Sequence, residues 1–221
     1  MVIKLSYPSK MRVNGEKVGT FDLNAGASCP GSKENGEVVE VCKSCYAKKN
    51  MYNFPVVKNK RIRNQQDYKR DGWVEDMVKA IGTSKRFRWF SSGDIETPEL
   101  ALKIKSVIAK TPNTIHWLPT RSFKLPKIDQ ILRRTLPSTQ GTYVDYIDDY
   151  NNVSLRLSAD NIGFKKERPG VNAFVIKPTD LFEAKKRGVY VCPVSLPGST
   201  QKSCDTCTYC YGSGDVAYVL H

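Results

Sequence analysis

The chain has 221 residues, of which 40% are hydrophobic and 26% charged, and this composition indicates one globular domain over residues 1–221 rather than a disordered protein. Its formal net charge of +13 favours a polyanion such as nucleic acid, or an anionic small molecule, as partner. No apolar run approaches a membrane span and no signal-peptide core opens the chain, so we expect no membrane contact and a reducing cytoplasm.

The first part of the chain leads to a group of three cysteines. Short strands are predicted over residues 1–23, where apolar residues alternate. A small-residue loop then reaches Cys29, and after a polar excursion the chain returns with Cys42 and Cys45. We call residues 24–47 the N-terminal cysteine loop. Its three thiols have no obvious fourth cysteine, and an iron ion left without a protein ligand can bind a small molecule.

Residues 46–71 are predicted to be helical and contain the most basic stretch of the chain, residues 58–70. Aromatic residues are interspersed there, which makes this stretch a candidate nucleic-acid face, with a solvated helix side as the alternative. An amphipathic helix follows over residues 73–81, and its apolar stripe is predicted to pack into the core. The basic residues of the stretch are Lys58, Lys60, Arg61, Arg63, Lys69 and Arg70.

From residue 86 onwards, predicted strands alternate with predicted helices. Thr97 and Pro98 have the residue types of a helix N-cap and first turn. Residues 137–152 are assigned to a loop. The alternation predicts an α/β fold with a mostly parallel sheet and right-handed crossovers. The predicted strands are 86–90, 114–118, 153–157, 171–176, 189–191 and 215–220, and the predicted helices are 97–110, 127–135 and 178–186.

Polar side chains gather where the predicted strands end. In parallel α/β folds, and above all in barrels, ligands bind at the carboxyl ends of the strands. Asp94 and Asp160 suit an amine or hydroxyls, Arg121 suits a carboxylate or phosphate, and these three are the candidate catalytic residues. Helix capping is the alternative role for each serine and aspartate. The expected ligand-binding residues of this rim are Ser92, Gly93, Asp94, Arg121, Ser122, Ser158 and Asp160.

A second group of cysteines lies near the C-terminus. Cys204, Cys207 and Cys210 follow one another at intervals of three residues, and Cys192 lies upstream, before a proline. This spacing is typical of a ferredoxin-type iron–sulfur site, in which one loop aims three thiolates at a cluster and a distant segment supplies the fourth. Zinc is the alternative, because four cysteines also bind zinc tetrahedrally. We call residues 192–212 the C-terminal cysteine loop and expect it at the same rim as the N-terminal one.

The chain has two histidines. His116 falls inside an apolar strand, so a buried, hydrogen-bonded ring is predicted. His221 is the last residue and follows a predicted strand, so it could complete the N-terminal cysteine set or touch a substrate. The alternative for His221 is a frayed terminus without a role.

The ordered motifs resemble the phage proteins of the gene product 88 family from about residue 20 to the end of the chain. The resemblance implies a metal site and a viral origin, and with that origin the cytoplasm of an infected host cell. The motifs that carry it are Ser28-Cys29-Pro30, Cys42-x2-Cys45-Tyr46-Ala47, Ser92-Gly93-Asp94, Thr120-Arg121-Ser122, Ser158-x-Asp160, Cys192-Pro193, Cys204-x2-Cys207-x2-Cys210 and the closing histidine.

A looser resemblance links the N-terminal cysteines and Ser92-Gly93-Asp94 to radical S-adenosylmethionine enzymes, and it implies S-adenosylmethionine as a cofactor and a partial or distorted β/α (TIM-like) barrel. The leading hypothesis is a phage-encoded protein with one or two 4Fe-4S clusters, acting in radical or redox chemistry. The seven thiols could also share a single centre. One alternative is a basic nucleic-acid-binding module whose fold is stabilised by zinc or by a cluster. Another is a redox carrier or sensor.

Overall fold

The structure is a computed structural model that describes residues 2–138, 141–146, 151–166 and 170–220. Its centre is a seven-stranded sheet in which every strand pair is parallel. This arrangement confirms the predicted α/β class. In chain order the strands are β1 (Gly19–Phe21), β2 (Arg86–Trp89), β3 (Ile115–Thr120), β4 (Val153–Ile162), β5 (Asn172–Ile176), β6 (Tyr190–Val191) and β7 (Val216–Val219).

Helices and small hairpins surround the sheet. The α-helices are α1 (Glu40–Lys43), α2 (Pro55–Asp67), α3 (Trp73–Ile81), α4 (Pro98–Lys110), α5 (Pro126–Leu132) and α6 (Leu181–Lys186). Short 3-10 turns lie at Pro30–Ser32, Tyr46–Lys48, Asn50–Asn53, Ser122–Lys124, Pro178–Asp180, Pro193–Ser195 and Tyr209–Tyr211. Antiparallel hairpins pair Arg12–Val13 with Glu16–Lys17, Lys33–Glu34 with Glu37–Val38, and Arg133–Ser138 with Gly141–Tyr146.

The sheet is open within the described residues. Its strand order is β6-β7-β5-β4-β3-β2-β1, so β1 and β6 form two edges that do not pair with each other. The last strand in the chain, β7, lies between β5 and β6, whereas each strand of a regular β/α barrel neighbours the next one in sequence. The structure therefore gives a parallel α/β sheet and not a closed barrel.

The two faces of the sheet are covered differently. Side chains alternate along each strand, so Phe87 and Trp89 of β2 face a core that α3, α4 and α5 complete. Arg88 lies between them in sequence and Trp117 lies on β3, and both belong to the opposite face. The N-terminal hairpin and the C-terminal cysteine loop cover that face, where Trp117 packs with Met11.

Helix α4 illustrates how the sequence specifies the local structure. The side chain of Thr97 accepts a hydrogen bond from the backbone N–H of Leu100 at 3.1 Å, and Pro98 occupies the first turn, as predicted. Leu100, Ile104 and Val107 repeat at helical spacing and are buried against the sheet. Each such side chain contributes about 1.5–3 kcal/mol of burial.

Two regions differ from the sequence prediction. The helix predicted over residues 46–71 is an α-helix only from Pro55 to Asp67, where the proline suits the first turn, and 3-10 turns at Tyr46–Lys48 and Asn50–Asn53 precede it. Helix α5 ends at Leu132 instead of near residue 135, and the antiparallel hairpin follows at once. The predicted loop over residues 137–152 is thus partly strand, because Arg133–Ser138 and Gly141–Tyr146 pair with each other as a local antiparallel hairpin. The Thr, Tyr and Val residues of the second strand favour this structure.

His116 is buried and hydrogen-bonded, as predicted. Trp89 Nε1 donates to His116 Nδ1 at 3.2 Å, so Nε2 carries the proton and lies 2.8 Å from Thr111 Oγ1. The Thr111 hydroxyl in turn donates to the Val107 carbonyl at 2.7 Å. Burial lowers the pKa of His116 to about 4, and the ring is neutral at neutral pH.

The lowered pKa of His116 predicts a pH-dependent contribution to stability. The unfolded chain protonates this histidine near pH 6.5 and the folded protein near pH 4, so the contribution is fully present above about pH 6.5 and is lost as the pH falls towards 4. We expect His116 to account for a loss of up to about 3 kcal/mol over that interval. Urea denaturation of the wild type and His116→Gln at several pH values measures it. A difference between the two proteins that does not change with pH would contradict it.

Candidate metal centre

The four C-terminal cysteines line one recess on the sheet face opposite the helices. Cys192, Cys204, Cys207 and Cys210 share it with Trp117 and with apolar side chains of the N-terminal hairpin. All seven cysteines of the chain are free thiols. Cys192 therefore lies in the same recess as the three later cysteines, and the four thiols are free of disulfide bonds.

Arg156 of β4 holds the backbone of the C-terminal cysteine loop. Its guanidinium is fully buried and donates to four backbone carbonyls. Nε reaches the Cys210 carbonyl at 3.0 Å, and the other nitrogens reach those of Tyr209 at 2.8 Å, Gly212 at 3.1 Å and Gly214 at 2.5 Å. One side chain thus fixes the turn that carries Cys210, and none of these four hydrogen bonds uses the Cys210 thiol.

A second cation, Arg88 of β2, lies between the two cysteine loops. Its guanidinium stacks 4.1 Å from the centroid of Trp117 and donates to Met11 Sδ at 3.3 Å. Arg88 interacts electrostatically with Cys210 of one loop and with Tyr46 at the end of the other. Arg88 therefore places a positive charge near Cys210 and near Tyr46, whereas Arg121 and Lys48 are the cations that act on Cys42 of the N-terminal loop.

The N-terminal hairpin fixes the other end of the C-terminal loop. The Cys204 N–H donates to the Lys10 carbonyl at 2.9 Å. The carboxylate of Asp205 accepts a hydrogen bond from the Gly15 N–H at 2.6 Å, and its backbone carbonyl accepts one from the Asn14 N–H at 2.8 Å. Segments about 190 residues apart in sequence thus come together at this site.

Two tyrosines contact the thiols of the recess directly. The hydroxyl of Tyr190 lies 3.3 Å from Cys207 Sγ, and that of Tyr218 lies 3.2 Å from Cys210 Sγ. The ring of Tyr190 also stacks on Tyr209, with centroids 4.0 Å apart. Such hydroxyls can donate to a thiolate, which stabilises the charged form.

Three thiols of the recess, those of Cys192, Cys204 and Cys210, are neutral at neutral pH. Burial raises the pKa of Cys204 to about 11 and also raises the pKa values of Cys192 and Cys210. The Arg88 charge opposes this effect at Cys204 and Cys210. A metal that binds here must therefore displace protons from buried thiols.

The N-terminal cysteine loop packs onto the carboxyl ends of β2 and β3. A Cβ atom added at Gly31 would lie 2.3 Å from the Arg121 carbonyl oxygen, and one at Gly93 would lie 2.7 Å from Ser28 Oγ. Gly93 also has φ +83°, a conformation that favours glycine. Both glycines permit the close approach that places Cys29 at the rim.

The three N-terminal thiols lie within electrostatic range of one another. Burial, Asp94 and the neighbouring thiols of Cys42 and Cys45 raise the pKa of Cys29 to about 12. Burial also raises the pKa of Cys42, while Arg121 opposes the shift. Arg121 Nη1 lies 3.2 Å from Cys42 Sγ, so a guanidinium is in place to stabilise this thiolate.

Asp94 is buried at the rim and accepts three hydrogen bonds from the protein. They come from the Thr120 hydroxyl at 2.6 Å, the Arg121 N–H at 2.8 Å and the Ile95 N–H at 2.7 Å. Burial raises the pKa of Asp94, although these hydrogen bonds act in the opposite direction. The carboxylate thus joins the end of β2 to the end of β3.

Asp160 lies between two cations at the end of β4. Arg121 Nε lies 3.1 Å from its Oδ1 as an ion pair that lacks hydrogen-bond alignment, and Lys124 pairs with Oδ2. Arg121 Nη2 also donates to the Ala159 carbonyl at 2.5 Å. Arg121 therefore links the N-terminal cysteine loop, through Cys42, to β4.

The predicted serines occupy different surroundings. Ser92 Oγ donates to the Leu23 carbonyl at 2.8 Å, so this serine holds the chain that leads into the N-terminal loop. Ser122 is buried, and its hydroxyl has no hydrogen-bond partner among the described residues. Ser158 is half-buried on β4. The structure therefore joins Asp94, Arg121 and Asp160 in one network of contacts within the protein, whereas Ser92 and Gly93 contact the chain that leads into the N-terminal loop.

Other predicted residues fall elsewhere. His221 lies outside the described residues. Of the basic stretch 58–70, the exposed members are Lys58, Arg63 and Lys69. The other members make contacts within the protein: Lys60 donates to a backbone carbonyl, Arg61 stacks over a tyrosine ring and Arg70 pairs with two carboxylates.

Sequence reasoning missed Arg88 and Arg156. Both alternate with apolar residues inside strands, Arg88 between Phe87 and Trp89 and Arg156 between Leu155 and Leu157. A strand of a parallel sheet covered on both faces is usually apolar throughout. A cation at such a position was therefore the available signal that one face of the sheet serves a polar site.

The ligand assignment itself stays a prediction. Over the described ranges, no three His, Cys, Asp or Glu side chains converge closely enough to hold a metal ion as they stand. The helices of those ranges also lack the length and apolar character needed to cross a bilayer.

A family model described as gene product 88 matches residues 4–211 of the chain, a span that contains all seven cysteines. Neither the curated proteins nor the solved structures that were compared with the chain gave a match. The looser resemblance to radical S-adenosylmethionine enzymes gains no support from these comparisons.

Proposed function

The chain belongs to the gene product 88 family, and from that premise we propose that it is a phage-encoded iron–sulfur protein that works in the reducing cytoplasm of the infected cell. Cys192, Cys204, Cys207 and Cys210 hold one 4Fe-4S cluster. The observation that carries the proposal is the shared recess of these four thiols, on a loop whose backbone Arg156 fixes. When bound, the cluster supplies one-electron transfer.

The surroundings of the recess fit an anionic thiolate cluster. Four thiolates and a cluster carry net negative charge, which is costly to bury without compensation. Arg88 and Arg156 place two guanidinium groups at the recess, and the partners described for Arg156 are carbonyls without formal charge. Tyr190 and Tyr218 direct hydroxyls at two of the thiols, and such hydrogen bonds tune the reduction potential of a cluster.

The N-terminal loop provides a second centre in this proposal. Cys29, Cys42 and Cys45 hold a second cluster, completed either by His221 or by a small molecule. Arg121 and Lys48 act on Cys42 as positive charges, which suits an anionic small molecule such as the carboxylate of S-adenosylmethionine. In a more specific version of the proposal, the fold is a partial barrel and the protein carries out radical chemistry. Asp94, Arg121 and Asp160 then position the rim of the sheet at which the small molecule binds.

Metal analysis tests the proposal, because each cysteine set can be removed separately. Protein purified without oxygen is analysed for iron, sulfide and zinc, and its absorption and spin-resonance spectra are recorded. We expect iron and sulfide in equal amounts, about four of each per cluster. Cys204→Ser/Cys207→Ser should abolish the iron bound at the C-terminal loop. Cys42→Ser/Cys45→Ser should abolish the iron bound at the N-terminal loop.

The matched pairs of variants distinguish the possible outcomes. If each pair of substitutions on its own removes all the iron, the seven thiols share one centre. If only the C-terminal pair has an effect, the protein holds one cluster. Colourless protein that contains zinc alone would replace the iron proposal with a zinc site, and protein without any metal would end both. Equilibrium dialysis with S-adenosylmethionine tests the more specific version, since binding must depend on Cys42 and Cys45.

A second candidate is a basic nucleic-acid-binding module in which the metal only stabilises the fold. The observation that favours it is the run of residues 41–66, which contains seven lysines and arginines and no acidic residue. Binding through phosphate contacts falls steeply with salt. Affinity for nucleic acid that is absent, or unchanged between low and high salt, would remove this candidate.

A further inference from the structure

The residues that follow Cys42 form an exposed surface rich in cations and aromatic rings. We define the basic–aromatic segment as residues 43–63. Its exposed apolar residues include Tyr46, with 56% of its surface accessible, and Phe54, with 62%. Its exposed cations are Lys43, Lys48, Lys49, Lys58 and Arg63.

Tyr46 is both exposed and fixed. Its hydroxyl donates to the Ser91 carbonyl at 2.7 Å, which ties the ring to the end of β2. Its ring meets that of Tyr52 edge-to-face, with centroids 5.4 Å apart, and Arg61 stacks 4.5 Å above the Tyr52 ring. The protein therefore holds the Tyr46 ring in place and leaves more than half of the residue open to solvent.

A fixed, exposed aromatic ring among cations matches the way proteins bind single-stranded nucleic acid. Bases stack on aromatic side chains while lysines and arginines contact the phosphates. A ring that is already immobile loses little conformational entropy when a base stacks on it. A duplex keeps its bases stacked on each other, so it cannot use Tyr46 in this way.

We propose that the basic–aromatic segment binds single-stranded nucleic acid, with a base stacked on Tyr46 and the phosphates held by Lys48, Lys49 and their neighbours. This inference deepens the second candidate function, and it moves the contact from residues 58–70 to the segment beside Cys45. Half of the originally predicted cations are held within the protein, whereas Lys48 and Lys49 are exposed.

Charge complementarity selects a polyanion as the occupant. The segment has no acidic residue of its own, and the whole chain carries +13. An acidic protein offers the same charge complementarity but has no planar bases to stack on Tyr46. The two partners therefore differ in how strongly they depend on the Tyr46 ring.

The test is fluorescence anisotropy of a labelled oligothymidylate of about 20 nucleotides with the full chain. Tyr46→Ala should weaken binding about fivefold or more, because stacking of one base contributes roughly 1–3 kcal/mol. Tyr46→Phe keeps the ring and should stay within about threefold of the wild type. Metal content is measured on each preparation, and variants are compared at equal content.

Two double variants that change the net charge equally distinguish a specific binding site from general electrostatic attraction. Lys48→Glu/Lys49→Glu should weaken binding strongly and flatten its salt dependence. Lys185 and Lys186 are exposed on α6, and Lys185→Glu/Lys186→Glu should change the affinity and its salt dependence far less. Equal effects of the two pairs would overturn the inference.

Further outcomes separate this inference from the proposal on which it rests. Equal affinity for duplex and single strand, with no effect of Tyr46→Ala, would leave nucleic-acid binding intact and overturn the stacking site. No binding to either nucleic acid would overturn both. Affinity for polyglutamate equal to that for the oligonucleotide would overturn the inference in favour of an acidic protein.

Discussion

Replacing Arg156 with methionine should destabilise the protein by about 3–5 kcal/mol and abolish metal binding at the C-terminal loop. The change removes a fully buried guanidinium and leaves the four carbonyls it serves without this donor. Chemical denaturation measures the loss of stability. Iron per chain, measured at a temperature where the variant remains folded, gives the second readout.

Two further variants separate the geometry of Arg156 from its charge. Arg156→Lys keeps the charge, but its single ammonium cannot reproduce the planar set of donors, so we expect most of the effect to persist. Arg187→Met removes an exposed arginine whose described contacts include an ion pair with Glu183 and a ring contact with Phe164, and it should cost no more than about 1 kcal/mol. An Arg156→Met protein that keeps its stability and its iron would show that the loop does not depend on this residue.

Much of the fold could be predicted because local signals and tertiary packing agree. The cap at Thr97 and the apolar repeat of α4 specify the same helix, and the alternation of strands and helices leads directly to a parallel sheet. Strand order could not be predicted. The placement of β7 between β5 and β6 depends on pairing between distant segments, and no local pattern encodes it.

The sequence located the rim residues but not their roles. Asp94, Arg121 and Asp160 do lie near one another, because the carboxyl ends of parallel strands share one edge of the sheet. Their contacts are largely with the protein, and residue type alone cannot distinguish a ligand-binding carboxylate from one that joins two strand ends. Arg156 is the opposite case, a residue with a role that its position in the sequence did not indicate. Its role depends on a loop more than 50 residues away.

The two cysteine loops are held by different physical means. Buried hydrogen bonds from Arg156 to carbonyls fix the part of the C-terminal loop around Cys210, so the position of that part depends on one side chain. Close backbone packing fixes the N-terminal loop, through Gly31 against Arg121 and Gly93 against Leu23 and Ser28. The N-terminal loop should therefore respond to added volume, and the C-terminal loop to the loss of a donor.

Gly31→Ala should consequently displace the N-terminal cysteine loop and reduce the metal bound there, with a loss of stability of about 3 kcal/mol. The added methyl carbon would lie 2.3 Å from a backbone oxygen of Arg121 and 2.6 Å from its carbonyl carbon, and neither can move without shifting the end of β3. Thermal unfolding and the iron retained in a Cys204→Ser/Cys207→Ser background measure the two effects.

Gly36→Ala is the matched control in the same loop. Gly36 has φ +85° and no atom within 4 Å of an added Cβ, so alanine there adds backbone strain of about 1–2 kcal/mol without a clash. We expect Gly36→Ala to lower stability and to leave N-terminal metal binding intact, whereas Gly31→Ala lowers both. If the two variants lose metal equally, general destabilisation explains the effect. If Gly31→Ala binds metal like the wild type, contact with Arg121 does not position Cys29.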